Sequence, residues 1–264
     1  MKTIFCKEFR RTRIGLLIWS AVIALITFFS ISEYPVVSQN IDRVEEALQL
    51  IPKIGQLICG VYDIDLTVPI GYFAVMYYWI GLIVFTHAIY IGASMIAKES
   101  RDNTVEYLFT KPYTRGIIVW AKILAGFLNI FVVGAITIAM NLLAMLPVTS
   151  DPTVYGQVFV SGIGMLFTQC ILMLLGFLCS AFFKNYRSGV MGAATVLIGS
   201  YCLMFFVQNI DMPSLNFLSP LTFFAISEVI RNGLNILYVL ISVVEIGVCI
   251  FFTQRLYSKK EMIT

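Results

Sequence analysis

Six stretches of this chain are apolar over lengths that leave little freedom in what it can fold into. They are Ile14–Ser32, Val68–Ala97, Gly116–Leu146, Val154–Phe183, Ser188–Val207 and Leu234–Gln254, and within them only His87, Lys122 and Glu245 bring an imidazole, a base or an acid. A helix needs about 20 such residues to cross a bilayer. In lipid, each backbone N–H and C=O must find its partner inside the segment, so continuous runs become helices. Apolar and polar residues do not alternate along the runs, which excludes a strand barrel. The expected fold is therefore all-α: a polytopic membrane helix bundle of six transmembrane helices forming a single domain over residues 1–264. Composition agrees, with 12% charged residues against about 25% in soluble domains. Several runs exceed the bilayer span, which implies tilt or kinks. The first run has a basic start like a secretory signal, but its apolar core is too long and Ser30–Ser32 is a weak cleavage site, so it is expected to stay as a first span.

Basic residues then orient the bundle, because Lys and Arg resist translocation. With the N-terminus in the cytoplasm, only Arg43, Lys53 and Arg231 of the 18 Lys and Arg fall outside. Six spans return the C-terminus, with its "RLYSKKE", to the same side. The expectation is a multi-pass protein of the plasma membrane with both termini cytoplasmic. The net charge of +3 then reflects topogenic anchors. No basic run is interleaved with aromatics, so nucleic acid is not an expected partner. The six cysteines make no framework and read as free thiols packed as small hydrophobes.

The links carry their own patterns. Residues 1–13, "MKTIFCKEFRRTR", place Ile4, Phe5 and Phe9 near one face among basic residues, as a cytoplasmic interfacial helix would. In the outer segment 33–67, Ile41, Val44, Leu48, Ile51 and Ile54 repeat at helical spacing, and Pro52 should kink or interrupt that helix. Segment 208–233 contains "FLSPLTFF", where Pro220 breaks any helix. Re-entrant or half-helical pieces are expected there, buried in protein if they enter the membrane.

One cytoplasmic link stands apart. Residues 98–115, "KESRDNTVEYLFTKPYTR", concentrate charge between two apolar spans. Asn103 with Glu106 makes a capping-box-like start. Lys111 precedes Pro112, which ends the element, and Thr114 is placed to cap the next span. Along the short helix between these signals, Val105, Leu108 and Phe109 share a face at spacings of three and four. Such a helix suits a partner's groove. A solvated loop whose apolar residues dip into the interface is the alternative on these residues alone.

The stretch from Glu99 to Lys122 resembles the signature of ABC-2-type transporter permeases, at Glu99, Thr104, Glu106, Leu108, Pro112, Arg115 and Lys122. Asn103 stands where the family usually has Gly, a mild departure because Asn tolerates left-handed backbone. The six spans, basic start, proline-broken outer piece and basic tail are similar as well. The resemblance implies a permease subunit whose segment 99–113 is a coupling helix seated in a separate ABC ATPase subunit. It implies a second permease copy or a related permease, with the route between them. ATP and Mg would be bound by the ATPase partner, and this chain would hold no cofactor. In agreement, the sequence has no G-x-x-x-x-G-K-[ST] run and no long cytoplasmic segment. The expected coupling interface is Glu99, Asn103, Thr104, Val105, Glu106, Leu108, Phe109, Pro112 and Arg115.

His87 and Glu245 are costly inside a bilayer and need protein or water around them. They could line the translocation route, or be hydrogen-bonded within the bundle; nothing in the sequence brings them together, which favours the second. Two ligands are too few for a metal site. Asn129, Asn141 and Gln169 read as residues that join helices. Three functions compete: an ABC permease, an ion-coupled carrier or channel using His87 and Glu245, and an accessory membrane protein that transports nothing. Thin polar lining and no visible inverted repeat weigh against the carrier. The absence of a sizeable soluble domain weighs against the accessory protein. The apolar bundle suits export of a hydrophobic or amphipathic cargo such as a peptide antibiotic, drug or lipid.

Overall fold

The computed structural model describes residues 2–101, 114–183, 185–210 and 212–259. Its described residues form helices joined by turns. Six helices are long and apolar enough to cross a membrane: α1 (Lys2–Gln39), α4 (Pro69–Arg101), α5 (Arg115–Met145), α6 (Pro152–Phe182), α7 (Tyr186–Ile210) and α9 (Ile236–Lys259). Short helices α2 (Ile41–Gln49), α3 (Lys53–Cys59) and α8 (Ile226–Asn232) lie in the links. Each crossing helix contains the core of one predicted span and differs from it mainly at the ends. Six crossings place the start of α1 and the end of α9 at one end of the bundle, called here the termini end.

The centre is the pair α4 and α6. In their most apolar windows 78% and 67% of residues are buried, against 17% in α1 and in α9. Small residues explain the close fit. A Cβ on Gly92 would meet the Met173 carbonyl oxygen at 1.9 Å, and one on Gly176 the Ile89 carbonyl oxygen at 2.3 Å. Membrane helices use small residues this way because dispersion contacts, and not water exclusion, hold them together. Helix α5 packs on α1, α6 and α4; α7 packs on α4 and α6; α9 packs on α6 and α5. The outer helices present large apolar side chains such as Leu17, Phe28, Phe206 and Phe251, as a lipid-facing surface requires.

The start of α1 departs from expectation. Residues 2–13 form no separate interfacial helix; they are the first turns of α1, which runs on unbroken to Gln39. Ile4 is buried in a cluster with Ile118 and Ala121 of α5, so its apolar face is taken by protein. At the other end α1 passes Pro35, beyond the predicted limit of Ser32. There Tyr34 meets Tyr72 edge-on at 5.1 Å, and the Tyr72 hydroxyl donates to the Ser30 carbonyl.

In segment 33–67, Pro52 divides the amphipathic stretch into α2 and α3. In segment 208–233 a 3₁₀ helix (Pro213–Leu218) and α8 flank the turn at Pro220. Phe224 stacks on Phe167 of α6 at 5.7 Å and Phe223 on Tyr238 of α9 at 5.4 Å, so this link is packed onto the bundle. Asp151 caps α6 by accepting from the Thr153 backbone N–H at 2.9 Å, and that bond holds its carboxyl below the usual carboxylate range. All six cysteines are free. Only Cys170 and Cys249 are buried, while Cys6, Cys59 and Cys202 are exposed, so packing in the protein interior accounts for part of the set.

Candidate functional site at the termini end

The expected coupling helix lies outside the described residues, from Asn103, Thr104, Val105, Glu106, Leu108 and Phe109 to Pro112. Glu99 belongs to the last turn of α4. What the structure describes is how the bundle grips both ends of that segment.

Lys122 lies two turns into α5 and is 1% exposed. A buried ammonium must be paired and hydrogen-bonded to persist. Its Nζ donates to the Met95 carbonyl of α4 and lies 3.9 Å from Glu8 Oε1 of α1. Glu8, the only acid in the basic start, is itself buried. The lone base inside the spans and the lone acid in residues 1–13 thus meet where α1, α4 and α5 converge. Two turns further along α5, the Asn129 amide donates to Thr12 Oγ1 at 3.1 Å, a second polar rung between α1 and α5. On the other side of α4, Ser180 Oγ of α6 donates to the Ala93 carbonyl at 2.7 Å. At the start of α5, Arg115 Nη1 donates to the Ser258 carbonyl of α9 at 3.0 Å. Thr114 occupies the N-cap position of α5 as expected, but its side chain makes no cap hydrogen bond.

The last turns of α4 and first turns of α5, which flank residues 102–113, are therefore tied to α1, α6 and α9.

The other polar residues predicted inside the spans are scattered. His87 is buried, its ring 5.3 Å from Trp19 of α1, with Nδ1 making no hydrogen bond among the described residues. Glu245 lies half-buried on α9, a helix that packs on α6 and α5. His87 sits instead on α4, which packs mainly on α6, α7, α5 and α1. Among the described residues no cluster of His, Cys, Asp and Glu could hold a metal. Of the three amides read as helix-joining, Asn129 bridges helices; Asn141 Oδ1 and both amide atoms of Gln169 are buried with no hydrogen bond among the described residues.

A sequence model of the family described as "ABC-2 family transporter protein" matches residues 2–262. The chain belongs to the ABC-2 transporter family. Comparison with curated proteins returns no match. An ABC-2 protein is the membrane subunit of a transporter, not itself catalytic, and works in general with an ABC ATPase. In this ABC-2 permease, Arg115 and Lys122 are the described side chains among the motif positions, and both hold helices together at the termini end. Sequence reasoning does not find Glu8. The signal that could have found it is a solitary acid among five bases before the first span, with a solitary base inside the third.

The separation of His87 from Glu245 leads to an expected result for this permease. Glu245→Gln keeps the size and hydrogen-bonding capacity of the side chain, and should leave transport and its pH profile unchanged. A shifted pH profile or abolished transport in reconstituted vesicles would place Glu245 on the route.

Proposed function

We propose that this chain is the permease subunit of an ABC exporter for a hydrophobic or amphipathic substrate such as a peptide antibiotic, drug or lipid. ATP hydrolysis takes place on a separate ATPase that binds ATP and Mg, and a second permease, identical or related, completes the route. The termini end faces the cytoplasm. Residues 98–115 form the coupling segment, with Asn103 and Pro112 fixing the ends of a short helix whose face of Val105, Leu108 and Phe109 enters a groove of the ATPase.

The observation that carries this reading is the bracing of α4 and α5 on either side of that segment by Lys122, Ser180 and Arg115. A handle transmits displacement only if its roots are fixed. When ATP closes the two ATPase subunits, their coupling helices draw together. The pull enters α4 and α5 and spreads through the buried Glu8–Lys122 contact to α1. The basic residues concentrated at that end support the orientation, and the thin polar content of the spans supports an apolar cargo.

The test uses the permease co-expressed with its ATPase. Leu108→Asp puts a charge on the docking face and Glu106→Lys reverses one on its rim. Both variants should insert normally and lose ATPase pull-down and ATP-driven efflux from vesicles. Normal pull-down and transport by both variants would overturn the coupling assignment.

A further inference from the structure

At the end of the bundle opposite the termini, a cavity of about 260 Å³ opens between α4, α6 and α7. Its cover is the loop after α3 together with the 3₁₀ helix and the start of α8. The cover is fastened at several points. Gly60 turns the chain with φ 73°, and its missing side chain lets the loop lie on the Tyr78 ring, which a Cβ would strike at 2.4 Å. Arg231 donates to Asp63 at 2.9 Å, Lys53 Nζ donates to the Asn209 carbonyl at 2.9 Å, and Ser219 Oγ donates to the Ser200 carbonyl at 3.0 Å. The cavity is thus pre-formed, as small-molecule sites usually are.

Its walls are mainly apolar, with Tyr77, Tyr78, Phe85, Tyr201, Phe224 and Met204, and carry neutral polar groups at Thr168, Gln208, Asn216 and Thr222. The charged groups at its mouth each have a partner within the protein, though of the two carboxylates only Asp63 faces an opposite charge. Asp63 is paired with Arg231, Glu228 accepts from the Asn232 amide at 3.2 Å, and Lys53 lies over the Tyr62 ring at 4.8 Å. An anion entering here would lose hydration beside the Glu228 carboxylate, whose partner is a neutral amide, and a neutral ligand avoids that cost. One polar group in the wall does lack a partner. The Tyr201 hydroxyl is buried and makes no hydrogen bond among the described residues, although a buried hydroxyl is normally bonded.

From this geometry we propose that the cavity binds the apolar group of an uncharged amphiphile, an aryl or short acyl group bearing a carbonyl or ether oxygen that accepts from Tyr201. The volume lies just below the about 300–1,000 Å³ of sites for drug-sized molecules, so the occupant is a small molecule or one group of a larger one. The site rests on the export reading only for its place on a transport route; binding itself does not need the ATPase.

Benzophenone is a suitable probe, being a neutral aryl ketone that photolabels nearby C–H bonds. Purified permease in lipid nanodiscs, without ATPase, is titrated with benzophenone, irradiated and mapped by mass spectrometry. Labelling should saturate and concentrate on Met204 and its neighbours in the cavity wall. Tyr201→Phe should raise the half-saturating concentration about fivefold, the worth of roughly one hydrogen bond. Met204→Trp should fill the space and abolish saturable labelling. Val207→Phe does the same from one turn further along α7, should the first variant fail to elute as a folded peak. Labelling spread evenly over lipid-facing residues such as Met191, or half-saturation unmoved by Tyr201→Phe, would overturn the site. Saturable labelling without ATP-driven export would leave the site standing and remove the export reading.

Discussion

Lys122→Met is expected to lower the stability of the permease by about 3 kcal/mol and to uncouple transport from ATP hydrolysis. The side chain keeps its length and apolar stem, so packing changes little. The loss is electrostatic. Glu8 is left buried with its cation removed, and the Met95 carbonyl loses a charge-assisted donor. Breaking a buried pair from one side costs about 3–5 kcal/mol, and the 3.9 Å separation puts this one at the lower end. Glu8→Gln, which keeps a polar group beside the ammonium, should cost nearer 1 kcal/mol. The decisive comparison is the double variant, Lys122→Met with Glu8→Leu. Replacing both members of a buried pair by apolar groups is often neutral, so thermal unfolding in nanodiscs should return close to the parent. Transport should not return, because dispersion contacts re-form after helices slide whereas a directional bond to the Met95 carbonyl resists sliding. Full transport by the double variant would show that the contact serves folding alone.

How much of this is legible in the sequence follows from what each signal depends on. The six spans are, because lipid imposes helix on any long apolar run whatever its neighbours do. The start of α1 is not, for a related reason. Ile4, Phe5 and the bases around them present one amphipathic pattern, and that pattern is the same whether the apolar face meets lipid or Ile118 and Ala121 of α5. Pro52 and Pro220 can be read locally, since proline removes a donor wherever it stands. The Lys122–Glu8 contact cannot, although each residue is conspicuous by itself, because pairing requires knowing that α1 lies against α5. The same holds for Gln169, which reads as helix-joining like Asn129 yet finds no partner for either amide atom among the described residues. The cavity is beyond sequence reasoning, being assembled from three spans and two links. The coupling segment remains a reading from residues 98–115 and the family resemblance, now with its roots in α4 and α5 described.

Valine at Gly92 or Gly176 is expected to be among the most damaging single substitutions in the spans. The obstacle at each site is backbone: the Met173 carbonyl for Gly92, and the Ile89 carbonyl with the Ala93 N–H for Gly176. A flexible side chain could swing aside, but a carbonyl held in a helix moves only with the helix. Relief therefore demands that α4 and α6 separate, which stretches the Ser180–Ala93 bond and opens the contacts of the fully buried Ala88 and Ala93. Overpacking ordinarily costs about 1–3 kcal/mol; with no collapsible neighbour the cost here should reach or pass the top of that range. Either variant should elute as aggregate, or unfold well below the parent, in fluorescence-detected size-exclusion chromatography. Two comparisons separate close approach from a general intolerance of glycine replacement. Gly126→Ala meets the Met173 thioether at 2.8 Å, which can rotate, and should be mild. Gly199→Ala meets nothing within 4 Å and should be neutral or slightly stabilising, since alanine favours helix over glycine by about 1 kcal/mol. If Gly92→Val stayed monodisperse and melted with the parent, α4 and α6 would not meet at these glycines, and the bracing of α4 by Ser180 would lose its basis.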